Sequence, residues 1–450
     1  MPTEHLSPLD LAFWRIESAA HPMHLGALAV FEAAPREPGP GPGPGPGDCD
    51  AAVRAAALLT ARCAAVPGLR RRIHDVLLPV GAAAWSSDAD FDPARHVFLV
   101  RTDDLQAAAG PLMARPLDRS RPPWEAHVLA GPDPGSFAVL FKFHHALADG
   151  LGALALAAML FDEGPPLRGP ARPVPAPQPG GSVLRSLPGI LAARVQDVGQ
   201  ALEIGASVAR AGLPLGVPAA LTAVAARTGT RAVAGLALDL DDVNRIRKVA
   251  GGTVNDVLIA LVAGALRRWL VDRGDPEPEG PGPRALIPVS RRRPGGAQYG
   301  NRLSGYLLRL PLAEPDPVLR LHRVRTGMDR NKEAGPARGA GAVALLADHV
   351  HPLGHRLGGP LVAQAARLLF DILVTSVPLP GFTFSLGGSR VREVYPLAPL
   401  ARGHSLAVAV STYKGTVHYG LVADAAAVPD LAALAEALRA ELDVLVREVS

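Results

Sequence analysis

The chain has only two cysteines, four lysines and a 4% share of aromatic side chains in 450 residues. Each scarcity excludes something. Cys49 and Cys63 cannot build a disulfide framework, and neither belongs to a C-x-x-C pair, so a structural zinc site is not expected and a reducing cytoplasm is. Lysine is confined to Lys142, Lys248, Lys332 and Lys414, so the positive charge is almost all arginine. The net charge is only +4, too little for this length to argue for a nucleic-acid partner. H-E-x-x-H and the Walker phosphate loop are absent, and no metal or other cofactor is expected. No uncharged apolar stretch reaches the ~20 residues of a spanning helix. The longest candidate, 211–226, is broken by Pro214 and Pro218. The opening Met1-Pro2-Thr3-Glu4-His5 lacks the basic and apolar regions of a signal peptide. A cytoplasmic chain is expected, at most peripheral to the inner face of the plasma membrane or to a lipid-droplet surface.

What is present suits packed cores. The hydrophobic fraction is 48%, and the length fits two domains better than one. Pro38 to Gly47 alternates proline and glycine with nothing to bury, the composition of a surface loop. Gly164 to Gly181 is rich in Pro, Gly and Arg and reads as a linker, followed at 183–226 by Ala- and Leu-rich connecting helices. The division expected is a first lobe at 1–165, a connecting segment at 166–235 and a second lobe at 236–450. Strand and helix patterns occur on both sides. Phe137, Val139, Phe141 and Phe143 recur at period two, the mark of a half-buried strand. Val254 to Trp269 follows helical spacing behind a capping Thr253. Leu406–Val410 and Val417–Val422 flank a turn and predict a hairpin. Leu431 to Leu445 predicts a closing amphipathic helix. The order of elements implies α/β or α+β layers in two halves.

The strand at 137–143 runs into His144-His145-Ala146-Leu147-Ala148-Asp149-Gly150, a H-H-x-x-x-D-G string. A neutral imidazole suits proton abstraction near neutral pH, which points to acyl transfer onto a hydroxyl or amine. Neighbours on a strand face opposite ways, so only one histidine can serve a given site. His145 is the candidate base, His144 the structural partner and Asp149 the brace of the loop. Gly150 suits a tight backbone there. The competing reading is a buried, hydrogen-bonded histidine pair.

Pro116 to Glu125 holds Arg119, Arg121, Asp118, Glu125 and Trp124, a grouping that suggests an ion-pair network fixing a bend. Arg119 and Arg121 are the candidates for holding Asp149. Asn255-Asp256 opens the 254–269 helix, where a carboxylate serves either capping or function. Arg291-Arg292-Arg293 reads as a phosphate contact or an exposed basic loop. Gly403-His404-Ser405 only half matches a nucleophile elbow and precedes a strand, not a helix.

These segments, taken in order, resemble the bacterial wax ester synthase/acyl-CoA:diacylglycerol acyltransferase family. The resemblance runs through Leu6-Ser7-Pro8-Leu9-Asp10, Pro22 to Gly26, Pro116 to Glu125, His144 to Gly150, Asn255-Asp256-Val257, Pro288-Val289-Ser290, Gly300-Asn301 and Gly403 to Gly415. It implies two chloramphenicol-acetyltransferase-like lobes with a tunnel between them, acyl-CoA as donor, and diacylglycerol or a long-chain alcohol as acceptor. It also implies His145 as base, Asp149 as organiser, and Asn255 and Asp256 near the site. One segment departs: the family's Asn-Val-Pro-Gly-Pro stands here as Ser376-Val377-Pro378-Leu379-Pro380, altering a loop near the lobe interface and bearing on substrate preference. H-H-x-x-x-D-G alone is shared with peptide-synthetase condensation domains, so a condensation enzyme of secondary metabolism is one rival. A non-catalytic lipid-binding homologue is the other.

Overall fold

A computed structural model describes residues 4–32, 51–78, 80–132, 137–162, 229–290, 303–334 and 370–449. The Pro38–Gly47 run, the 164–181 linker, the 183–226 segment, Arg291 to Arg293 and Gly300-Asn301 lie outside the described residues.

In chain order the first half gives β1 (Glu4–His5), α1 (Pro8–Ile16), β2 (His24–Glu32), α2 (Ala51–Cys63), β3 (Arg71–Asp75), β4 (Ala83–Ser87), β5 (Val97–Arg101), α3 (Leu105–Ala114), β6 (Trp124–Ala130), β7 (Phe137–His144) and α4 (Gly150–Ala158). The second gives β8 (Arg231–Asp239), α5 (Leu240–Ala250), α6 (Val254–Asp272), β9 (Arg284–Ser290), β10 (Leu303–Arg309), α7 (Pro317–Ala334), β11 (Ile372–Pro378), β12 (Ser385–Leu386), β13 (Ser389–Leu397), β14 (Leu406–Tyr413), β15 (Thr416–Asp424) and α8 (Leu431–Glu448). They build two mixed six-stranded sheets, ordered β12-β13-β2-β7-β6-β5 and β10-β9-β11-β14-β15-β8, and a small sheet β1-β4-β3.

Two expectations are sharpened. β7 is buried along its whole length, not half-buried. Its phenylalanine face packs with α2 and α4, while Ala138 and Leu140 meet α3 together with Val233 and Val422 of the second sheet. Helix α6 is buried almost all round, because the second sheet, α7 and α8 enclose it. The 406–424 hairpin forms as its pattern requires, with Lys414 at φ 48° and Gly415 at φ 79° in the turn.

The strands are not partitioned as the division into 1–165, 166–235 and 236–450 implies. β8 begins at Arg231, within the expected connecting segment, and β12 and β13, from the second half, complete the first sheet by pairing β13 with β2. The crossing strand locks the halves together. A Cβ on Gly420 of β15 would lie 1.9 Å from the Pro396 carbonyl oxygen of β13, so only glycine allows this approach. Arg231 adds a buried tie, 3.7 Å from Asp424 and donating to the Ala20 carbonyl at 3.0 Å. Among the described residues no single helix is long and apolar enough to cross a membrane.

Candidate active site

At the end of β7 the chain leaves the sheet under tight backbone control. His144 N–H donates to the Pro123 carbonyl at 2.9 Å, His145 N–H to Met23 at 2.8 Å, and Leu147 N–H closes a turn onto the His144 carbonyl at 2.8 Å. Strand alternation then sorts the two imidazoles. Phe141, Phe143 and His145 line a cavity of about 510 Å³ between the sheets, while His144 is fully buried and does not reach it. The volume is within the ~300–1,000 Å³ range of small-molecule sites.

His145 is only partly buried. Phe13 of α1 lies flat on its ring, centroids 4.0 Å apart and planes 9° apart. His144 is held from several sides. Its Nδ1 accepts from the Ala146 N–H at 3.0 Å, which leaves the proton on Nε2, 3.4 Å from a Glu17 carboxylate oxygen. Trp14 meets the same ring edge-on at 5.0 Å. The Glu17 side chain is itself buried and accepts from the Met23 N–H at 3.0 Å. Burial pushes its carboxyl upward, but the His144 contact, the Met23 N–H and the Arg119 charge outweigh that and hold it below the usual value.

Asp149 is buried and caps α4, accepting from the Gly152 N–H at 2.9 Å. The arginines expected to hold it are engaged elsewhere. Arg119 donates to the Trp14 carbonyl at 2.9 Å and lies 3.7 Å over the Trp14 ring, and Arg121 pairs with Asp118 at 3.2 Å. Arg119 therefore touches the site through Trp14, which backs His144. Nor is Pro116 to Glu125 one network. Glu125 pairs with the fully buried Lys142 at 3.1 Å and with His127 at 2.9 Å, on the sheet face opposite the cavity.

Gly150 lines the cavity but has no left-handed backbone. Its requirement is space, since a Cβ there would stand 3.0 Å from Cγ2 of Val377. Val377 belongs to the Ser376–Pro380 segment, whose first three residues end strand β11 and, with Leu379, line the cavity. The expected loop is thus largely a strand and a wall of the site.

The second lobe supplies Asn255, which lines the cavity. Asp256 does not line it and forms a capping box with Thr253, accepting from the Thr253 N–H and hydroxyl at 2.8 Å each. Trp124 is also support: fully buried, it donates to the Leu69 carbonyl at 2.7 Å. His404 and Ser405 are buried away from the cavity, His404 Nε2 being 2.8 Å from the Phe370 carbonyl. Among the described residues the polar groups on the cavity wall are few: His145, Asp149, Asn255, Thr375, Ser376 and Ser411. An accessible imidazole in a wall that is mostly apolar among the described residues can deprotonate a hydroxyl brought in on an aliphatic chain.

Phe13, Trp14 and Glu17 were not singled out by sequence reasoning. A signal was available: Ser7 caps α1, Pro8 opens it, and two of the chain's scarce aromatic residues follow side by side.

Residues 6–258 match the family model described as the wax ester synthase/diacylglycerol acyltransferase catalytic domain, and residues 299–446 match the C-terminal domain of the same family. A relative from Mycobacterium tuberculosis H37Rv, named "Probable diacylglycerol O-acyltransferase tgs2", is 31% identical over 466 residues, covering 99% of each chain. Among solved structures, a wax ester synthase/diacylglycerol acyltransferase from Marinobacter aquaeolei VT8 superposes with a TM-score of 0.69 at 22% identity, covering 99% of both chains. The first condensation domain of the calcium-dependent antibiotic synthetase superposes at 0.61 with 16% identity, covering 100% of this chain and 97% of that one. Both structural likenesses speak to fold.

Proposed function

The chain belongs to the wax ester synthase/diacylglycerol acyltransferase family, and we propose that it moves a fatty acyl group from acyl-CoA to the hydroxyl of diacylglycerol or a long-chain alcohol, with His145 as general base. The observation that carries this is the sorting of the histidine pair: His145 lines the interlobe cavity with Asp149 and Asn255 while His144 is buried on the other face.

In the proposed step the His145 imidazole takes the acceptor's hydroxyl proton as the oxygen attacks the thioester carbonyl carbon. The tetrahedral intermediate collapses, the carbon–sulfur bond breaks, and CoA leaves as a thiolate that recovers the proton from the imidazolium. Products are one ester and one CoA thiol. General-base help is worth ~10²–10⁴ in rate, and holding both substrates in one cavity adds proximity. Asp149 contributes by fixing the start of α4, and Glu17 by holding His144 out of the cavity. The apolar wall suits aliphatic chains, and the lobes present it from both sides.

The test supplies purified protein with labelled palmitoyl-CoA and, separately, hexadecanol and diacylglycerol, and resolves the lipid products. Labelled wax ester, triacylglycerol or both are expected. Absence of labelled ester with either acceptor would overturn the reading.

A further inference from the structure

We propose that a blind arm of the cavity inside the first lobe sets the donor's chain length, with Phe161 and Phe384 as its end wall and room for an acyl chain of up to about 16 carbons. This deepens the acyltransferase reading and rests on it for the thioester that would place the chain there.

The arm runs from His145 along β2, between the first sheet and α4. Leu25, Ala27 and Ala29 share one face of β2 and line it, the first two paired with Phe143 and Phe141 of β7. Across the gap α4 presents Gly150, Ala153 and Ala157, spaced three and four residues apart on one helix face. Small residues on both walls hold the slot open where larger side chains would close it. Every lining residue supplied by β2, β7 and α4 is apolar or glycine. Ser411 of β14 reaches the wall too, but its hydroxyl donates to the Val394 carbonyl at 2.7 Å. Such a slot suits a hydrocarbon chain.

The far end is aromatic. The next residue on the same β2 face, Phe31, is buried and does not line the cavity. Phe161, just past α4, has its ring centroid 5.9 Å from those of Phe31 and Phe141 and 5.4 Å from that of Phe384. Phe161 and Phe384 both face the cavity and close it.

The backbone gives the length. The His145 N–H donates to the Met23 carbonyl at 2.8 Å, so Met23 marks the imidazole end. The extended run from Met23 to Ala29 spans ~20 Å at ~3.3 Å per residue. A straight hydrocarbon advances ~1.25 Å per carbon, so about 16 carbons reach from the imidazole to the end wall. Diacylglycerol carries two chains and cannot enter a blind slot between one sheet face and one helix. The acyl chain of the donor is common to both proposed acceptors, which makes it the occupant.

The test uses the purified full chain and saturated donors from octanoyl-CoA to arachidoyl-CoA. It reads ester formation with hexadecanol and, separately, donor affinity by titration calorimetry. In the parent, affinity should rise to palmitoyl-CoA, and arachidoyl-CoA should turn over at least about tenfold more slowly than palmitoyl-CoA. Ala157→Leu fills the arm one helical turn, ~5.4 Å, before Phe161 and should move the optimum down by about four carbons, to lauroyl-CoA. Phe161→Leu shortens the end wall and should raise the arachidoyl-to-palmitoyl rate ratio at least about threefold. Ala157→Leu adds atoms to open space, so it keeps the test decisive if Phe161→Leu loses its fold. Parental length profiles in the folded variants overturn the proposal. So does a parent whose affinity keeps rising to arachidoyl-CoA. A change confined to the alcohol-length profile, with palmitoyl-CoA held fixed, also overturns it, because the arm then holds the acceptor. If affinity shows the ceiling and Ala157→Leu lowers it, while no donor yields ester, the arm stands and the acyltransferase reading fails.

Discussion

Phe13 and His145 lie face to face, ring centroids 4.0 Å apart and planes 9° apart. The phenyl ring comes from α1, far from His145 in sequence, and sets the plane in which the imidazole can turn. An aromatic pair of this kind is worth ~0.5–1.5 kcal/mol. Phe13→Ala is expected to lower the acyl-transfer rate about two- to tenfold by loosening that plane. Steady-state rates with saturating palmitoyl-CoA check it, and a parental rate would show that the imidazole needs no such support.

Glu17 gives the site a pH signature. Its carboxyl is held below the ordinary value of 4.5 in the folded chain. A depressed carboxylate adds stability above its unfolded pKa and loses it as pH falls through the lower folded one. Glu17→Gln should therefore destabilise the protein at neutral pH by roughly 1–3 kcal/mol, as a buried contact to His144 is weakened. The gap between variant and parent should close on acidification below about 4.5. Urea unfolding across pH measures it. A gap that stays constant into acid would show that Glu17 is not charged where it counts.

Gly150 and Val377 test the junction of the lobes at the cavity. A Cβ at Gly150 would stand 3.0 Å from Val377 Cγ2, so Gly150→Ala should push β11 and the loop apart and reduce turnover. Val377→Ala removes the obstructing methyls. The double variant should recover most of the lost rate, an interaction of ~0.5–3 kcal/mol between touching residues. Additive losses would place the defect of Gly150→Ala in the backbone instead.

Local patterns carried a good part of this fold. The period-two phenylalanines of β7, the capped helix at Val254–Asp272 and the hairpin at Leu406–Asp424 each form where spacing and turn chemistry place them. The alternation that separates His144 from His145 was legible for the same reason, because a strand leaves neighbouring side chains no other choice. Pairings between distant segments were not legible. β13 joins β2 across most of the chain, and no local periodicity specifies a partner that far away. Glu17 was missed because its partner, His144, is brought to it only by the folded sheet. Arg119 was expected on Asp149 from charge alone, but it lies instead over the indole face of the buried Trp14. Gly150 was read as a conformational requirement, although only the tertiary approach of Val377 shows the need for space.

The most direct test of the central claim is the acyl-transfer rate of His145→Ala with labelled palmitoyl-CoA and the acceptor the parent uses best. Loss of a general base should lower that rate at least about a hundredfold. The melting temperature should stay near the parent's, because His145 is only partly buried and lines the cavity. A folded His145→Ala protein that still forms ester at the parental rate would contradict the account.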